Sequence, residues 1–306
     1  MTKSPRLSDL LKVSDPPFVD VRPAQDNRVF IDPSAIRASA KAGDRYATEA
    51  DRLLRNYFGF IADASQSGDR TDHRHGERLL SRLGEPNETR LGMSRRGHRG
   101  KGMRAGKGHA LWTAIRDNDV CRASAVPRLE HVPLFVSGVG SDLMSDAVTQ
   151  VIWPVLVGFT EEMWEQYPAL AAWPTSTATH QYYDERTSDW AEDAFRLPVY
   201  AARPLLLVPR NFVSKRLLMN HGQFYRREAI ETIRRQRMPS RTSARVFKRD
   251  LHREFPHART TNLQQALAAR TRGQDLPKDY EVNRTGLAGD SGYWISTRVW
   301  SLLFLA

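Results

Sequence analysis

His131-Val132-Pro133-Leu134-Phe135-Val136, then Ser137-Gly138-Val139-Gly140, then Ser141 to Trp153 is the stretch on which the reading of this chain turns. The first six residues are almost wholly apolar and predict a buried strand. Gly138 and Gly140 predict a tight turn, after which Ser141 or Asp142 can cap a helix that runs to Trp153, before Pro154. Leu143, Ala147 and Val151, with Met144 and Val148, form the apolar stripe of that helix. Asp142 and Asp146, four residues apart, share another face, which Thr149 continues.

Working outward, Val29-Phe30-Ile31 and Asp32-Pro33-Ser34 read as a short strand followed by a helix start. Helical periodicity then holds from Ser34 to about Ala64, with Leu53, Leu54, Tyr57, Phe58 and Ile61 buried. His75 to Leu83 predicts a second helix, and Ala110 to about Asn118 a third. Between them Gly84 to Gly108 carries seven glycines, too many for regular structure. Downstream, a helix begins near Thr160, and Leu197-Pro198-Val199-Tyr200 precedes a buried-type strand at Pro204-Leu205-Leu206-Leu207-Val208. His221 to Arg237 is a basic amphipathic helix with Tyr225, Ala229, Ile230 and Ile233 inward. Strands alternating with helices predict an α/β fold: a mixed sheet with flanking helices, a basic glycine-rich loop and a helical C-terminal part. The expected division is a loosely packed N-terminal segment (1–28), an α/β core domain (29–238) and an arginine-rich C-terminal region (239–306).

No apolar run reaches the ~20 residues that span a bilayer, and Met1 to Lys12 lacks a signal-peptide core. Cys121 is the single cysteine among 306 residues, which rules out an internal disulfide or a four-cysteine zinc site. These features point to the cytoplasm and away from a membrane.

Forty-six Lys and Arg against 35 Asp and Glu give a net charge of +11, which favours polyanionic partners. Arginine's predominance over lysine also fits the codon usage of a GC-rich genome, so the distribution is more telling than the total. Seven basic residues and no acid lie between Arg90 and Lys107; eleven acids and two arginines lie between Glu130 and Tyr200; fifteen basic residues and four acids lie between Ala201 and Arg259. An acidic middle thus separates two basic segments, as expected of an acidic centre flanked by phosphate-backbone surfaces.

Three constellations can carry chemistry. Asp142 and Asp146 can hold Mg²⁺, which prefers oxygen ligands; the competing reading makes them ordinary first-turn acids that favour the helix dipole. Glu85 and Glu88 can complete a metal site or act as acid and base. Beyond them Arg90, Arg95, Arg96, Arg99, Lys101, Arg104 and Lys107 supply positive charge on a glycine backbone that can approach phosphates, or simply form a solvated loop. Third, Arg210 and Lys215 follow the Leu205–Val208 segment, where some metal-dependent nucleases hold a catalytic lysine; no glutamate in the strand completes that pattern. Gly289-Asp290-Ser291-Gly292 has no partner motif for a serine nucleophile, and no Walker A string or His-Glu-x-x-His is present.

The strings Gly-Glu-Pro-Asn-Glu-Thr-Arg-Leu-Gly (84–92), Leu-Phe-Val-Ser-Gly-Val-Gly-Ser-Asp-Leu-Met-Ser-Asp (134–146) and Leu-Pro-Val-Tyr…Pro-Leu-Leu-Leu-Val-Pro-Arg (197–210) resemble those of a scattered group of uncharacterised bacterial proteins associated with defence or mobile elements. The resemblance implies that the blocks belong to one site or core, and supplies no reaction. The residues themselves point first to a metal-dependent phosphodiesterase acting on DNA or RNA. Asp142 and Asp146 with Glu85 or Glu88 would hold Mg²⁺, Arg95, Arg96, Arg99 and Lys101 would seat the backbone, and Lys215 or Arg210 would steady developing charge. The alternative is a non-catalytic nucleic-acid-binding subunit of a larger complex with protein partners; a third is a nucleotide-processing enzyme with a closed pocket beside Gly138–Asp142. Carboxylates gathered within about 5 Å of one point favour the first, and scattered ones the second.

Overall fold

The computed structural model describes residues 4–92, 103–117, 129–238 and 245–285 and, within those spans, all side chains but those of 103–105, 107, 129 and 285. The order is α1 (Leu7–Leu11), β1 (Phe30–Ile31), α2 (Pro33–Lys41), α3 (Arg45–Gln66), α4 (Arg70–Ser81), a 3₁₀ turn (Asn87–Thr89), α5 (Met103–Asp117), a 3₁₀ segment (Leu129–Leu134), α6 (Ser141–Val151), α7 (Trp153–Gln166) and α8 (Pro168–Ala171). Then come β2 (Thr175–Asp184), β3 (Asp189–Tyr200), β4 (Arg203–Pro204), β5 (Val213–Ser214), α9 (His221–Phe224), a π turn (Tyr225–Ala229), α10 (Ile230–Arg237), α11 (Lys248–Glu254), α12 (Ala258–Arg270) and α13 (Leu276–Thr285). The fold is mixed α/β, with helices flanking small sheets and a largely helical C-terminal region.

Aspartates start the first long helices. Asp32, Asp44 and Asp69 each accept a hydrogen bond from a first-turn backbone N–H, those of Ser34, Ala47 and Thr71. Such caps satisfy donors that the helix itself cannot, at about 1 kcal/mol each. Asp32 does more. Fully buried, its carboxylate also accepts from Ser214 Oγ (2.9 Å) and the Leu218 N–H (2.8 Å), tying α2 to the segment after β5.

α3 buries the expected Leu53, Leu54, Tyr57, Phe58 and Ile61. Against it lies the β2–β3 hairpin, which the sequence reading did not anticipate. Tyr183 and Trp190 from facing hairpin positions pack on Tyr57, and both the Tyr57 hydroxyl and Trp190 Nε1 donate to the Leu79 carbonyl at 3.0 Å. Among the described residues every ladder is antiparallel: β1 with β5, and β2–β3–β4 in sequence order; the one parallel pairing is an isolated bridge of Asn27 with Leu91. The expected mixed sheet is therefore two small antiparallel ones.

Two predicted strands take other forms. Of the predicted strand at His131–Val136, the residues up to Leu134 belong to the 3₁₀ segment Leu129–Leu134, and Phe135 and Val136 follow it with N–H bonds to the Val132 carbonyl. Pro133 has no N–H to give a ladder, and Val132 and Leu134 are buried all the same. Leu205 to Val208 is buried but is not a strand; the strand β4 is Arg203–Pro204 alone. The N–H groups of Leu205, Leu206 and Leu207 donate to Pro198 O, Glu88 O and Thr160 Oγ1. On α6, Met144, Ala147, Val148 and Val151 are buried as expected, but Thr149 is buried with them and donates to the Ser145 carbonyl.

Residues 4–28, expected to pack loosely, contribute Leu7, Leu11, Phe18, Val19 and Val21 to the main core, and the Val19 N–H bonds Val208 O at 2.8 Å. Arg37 is the polar counterpart of this core. Its guanidinium pairs with Glu130, reaches Glu281 at 3.6 Å and Asp51 at 3.4 Å, and His131 Nε2 stands 3.3 Å from Glu281. The consecutive helices α2 and α3 are joined by that nearly buried charge network to the distant Leu129–Leu134 segment and to α13. A second, smaller apolar cluster gathers Tyr225, Ala229, Ile230, Ile233 and Leu251, with Val246 and Phe255 at its edge. His221 to Arg237 is one helical rod, as predicted, with a π turn at its middle. Among the described residues no single helix is long and apolar enough to cross a membrane; α6 and α7 together reach that length but are bent by 74°.

Candidate functional site

The three sequence blocks meet. Residues 84–92 lie along α6: the Gly84 N–H donates to Gln150 in the last turn, and Gly92 abuts Asp142 in the first. Gly92 has φ +110°, which favours glycine, and a Cβ there would stand 2.9 Å from Asp142 Oδ1, so the Asp142 side chain would have to shift. On the other side, Leu206 N–H donates to Glu88 O (2.9 Å) and Arg90 Nη2 to Pro204 O (2.7 Å). The Asn27 N–H bonds Arg90 O at 2.8 Å, and Gly92 N–H reaches the carbonyls of Asn27 and Val29.

This threading spreads the carboxylates out. Gly84 and Gly92 sit at opposite ends of α6, whose eight-residue rise from Asp142 to Gln150 is about 12 Å. Glu85, exposed, is therefore at the far end from Asp142, while Asp142 and Asp146 are half-buried one turn apart. Among the described residues no three His, Cys, Asp or Glu side chains gather so as to hold a metal ion.

Glu88 turns to a partner that the sequence did not suggest. Its Oε1 is 3.5 Å from His180 Nε2 on β2, and the imidazole is stacked on the Trp153 indole, with 3.5 Å between centroids and 15° between planes. Burial pushes the Glu88 carboxyl up, but His180, a backbone N–H and the charge of Arg90 outweigh it, and Glu88 titrates below the usual glutamate range. Among the described residues neither Glu88 Oε2 nor Trp153 Nε1, both buried, has a hydrogen-bond partner. A histidine and a tryptophan on separate elements leave no spacing signature that could have found them.

Arg90 is only 2% exposed, at φ +57°, and both of its Nη atoms go to carbonyls, of Asn87 and Pro204. Burial, then repulsion from Arg203, lowers its pKa. It clamps the loop. Arg210 pairs with Asp15, and its N–H bonds Pro17 O at 2.8 Å, so it fastens the N-terminal segment; Lys215 is half-buried just after β5. Arg95, Arg96, Arg99 and Lys101 lie outside the described residues, as do the side chains of Arg104 and Lys107 on α5.

A broad basic surface is formed instead by the C-terminal helices. Arg226, Arg227, Arg235, Arg237, Arg245, Lys248, Arg249 and Arg253 are all exposed along the π turn, α10 and α11, whose apolar residues form the second cluster. Glu231 accepts from Arg234 (2.8 Å) and meets Lys248 Nζ (2.8 Å), and Arg234 above all holds its carboxyl down at about 2. Arg237 grips Glu254 through two bonds of 2.6 and 2.5 Å. The Glu231–Lys248 and Arg237–Glu254 pairs fix α11 against α10. At the head of the rod, burial first and then the charges of Arg259 and Arg226 lower the His221 pKa.

A family model described as a domain of unknown function (DUF8370) matches residues 11–220, so the match ends at Asn220, the cap of α9. No curated protein and no solved structure matches the chain.

Proposed function

The chain belongs to the family described as a domain of unknown function (DUF8370), so its role is read from its own residues, and we propose that it is a nucleic-acid-binding module. One observation carries the reading: the π turn, α10 and α11 turn their arginines outward while a dedicated apolar cluster holds the helices in place. Cations so presented displace counterions from a phosphate backbone, which gives affinity without sequence preference. Arg95, Arg96, Arg99, Lys101, Arg104 and Lys107 would add to the positive charge that draws a polyanion. The resemblance of the three blocks to defence-associated proteins suggests that the module serves within a larger assembly.

Fluorescence anisotropy with labelled oligonucleotides, titrated with salt, tests this. The wild type should bind with log K falling linearly against log salt, and Arg249→Ala and Arg253→Ala should each reduce the slope by ~1. Absence of salt-dependent binding in the wild type would overturn the proposal.

A second reading, Mg²⁺-dependent phosphodiester cleavage, is favoured by the half-buried Asp142 and Asp146 one turn apart beside Gly92. They would hold the ion without Glu85, which sits at the other end of α6, and Lys215 would face developing charge. Asp146→Ala should then abolish Mg²⁺-dependent cleavage; a variant that cleaves like the wild type removes this reading.

A further inference from the structure

We infer that Phe247, flanked by Arg245 and Arg249, is a stacking site for an unpaired base of single-stranded nucleic acid. The inference rests on the binding reading above and deepens it. Phe247 stands where α11 begins, in the N-cap position, with extended backbone (φ −91°, ψ 138°) and no side-chain cap. Serine, threonine, aspartate or asparagine would serve the helix there. Phenylalanine offers no such cap and is 43% exposed, one of the few large apolar side chains open to water among the described residues. Its neighbours are otherwise disposed: Val246 packs on the second apolar cluster and Leu251 is buried within it. The backbone carrying the ring is therefore anchored while the ring itself points away.

Both guanidiniums, of Arg245 and Arg249, lie 5.1 Å from the ring centroid. Standing over the ring, they hold it by cation–π attraction, and a base would stack by displacing one of these flexible side chains. Exposed Lys248 and Arg253 stand on the same short helix. An aromatic face framed by cations is the combination that holds single strands: the ring stacks a base while the arginines meet the phosphates on either side. A duplex keeps its bases stacked on one another and offers such a ring nothing. The site also lies beyond the family match at 11–220. Single-strand preference would thus belong to this appended helical unit and not to the family domain.

The test compares the full-length wild type, Phe247→Ser and Phe247→Trp for binding to short single-stranded DNA and RNA and to duplex DNA. Phe247→Ser supplies a good cap while it removes the ring, so its thermal midpoint should equal or exceed that of the wild type. Its single-strand affinity should fall about tenfold with duplex affinity unchanged, and Phe247→Trp should keep or strengthen single-strand binding. If Phe247→Ser binds single strands like the wild type, or weakens on single strands and duplex alike, the stacking site is overturned. A wild type that binds neither form would instead overturn the underlying nucleic-acid reading.

Discussion

His180 lies flat on Trp153, ring against ring at 3.5 Å, and the stack holds the imidazole where its Nε2 meets Glu88. A strand, a helix and a 3₁₀ turn are joined there by one aromatic contact and one charge contact.

The pair should register in the pH dependence of stability. The folded-state pKa of Glu88 is lowered, so its contribution is present above the ordinary value of 4.5 and is lost as pH falls through the lowered one. Denaturant titrations should therefore show Glu88→Gln less stable than the wild type by on the order of 1 kcal/mol at pH 7, with the gap closing in acid. A gap that stays constant from neutral to acidic pH would contradict the assignment.

Arg37 should be among the costliest positions in the chain. Arg37→Ala would remove the cation that Glu130, Glu281 and Asp51 share, while Asp51 keeps its pair with Arg55 at 3.0 Å and Glu281 its contact with His131. Breaking a buried network in this way costs roughly 3–5 kcal/mol. The measurement is the urea midpoint. A shift worth under about 1 kcal/mol would place the network's energy elsewhere.

Gly92 bears on both the fold and the site. Gly92→Ala forces a Cβ into a left-handed backbone conformation and against Asp142. The expected cost is about 1–3 kcal/mol, measured by thermal unfolding. Asp142→Ala should relieve the steric part, so the double variant should recover some of the loss; strictly additive effects would show that the two residues are not in contact.

What the sequence disclosed was mostly local. The stripe on α3, the helix after Gly138-Val139-Gly140 and the inward residues of the 221–237 rod follow from 3.6-residue periodicity and aspartate or glycine punctuation, which neighbouring residues set on their own. What it concealed depends on partners distant in the chain. His131–Val136 has the composition of a strand, but Pro133 and its burial among helices put its residues up to Leu134 in a 3₁₀ segment. Thr175 to Tyr200 reads as polar because one hairpin face is open to solvent, so Tyr183 and Trp190 do not stand out until Tyr57 is seen beneath them. The proximity of the three blocks was legible, but not their order along α6. That order sends Glu85 to the opposite end from Asp142 and leaves Glu88 to His180.

The π turn at Tyr225–Ala229 sets the phase of everything after it. Phe224, just before it, belongs to the main core, while Ile230 and Ile233, just after it, belong to the smaller cluster. A π turn is a surplus residue in an otherwise regular helix. Were residues 225–229 to run at 3.6 residues per turn with none removed, the downstream half of the rod would swing by about 100°, whereas deleting one residue there would leave both halves in phase. After such a swing Ile230 and Ile233 would leave the seat they now fill, and α11 would lose what it docks on. The aim of the whole basic surface is thus geared to the one wide turn that takes up an inserted peptide unit.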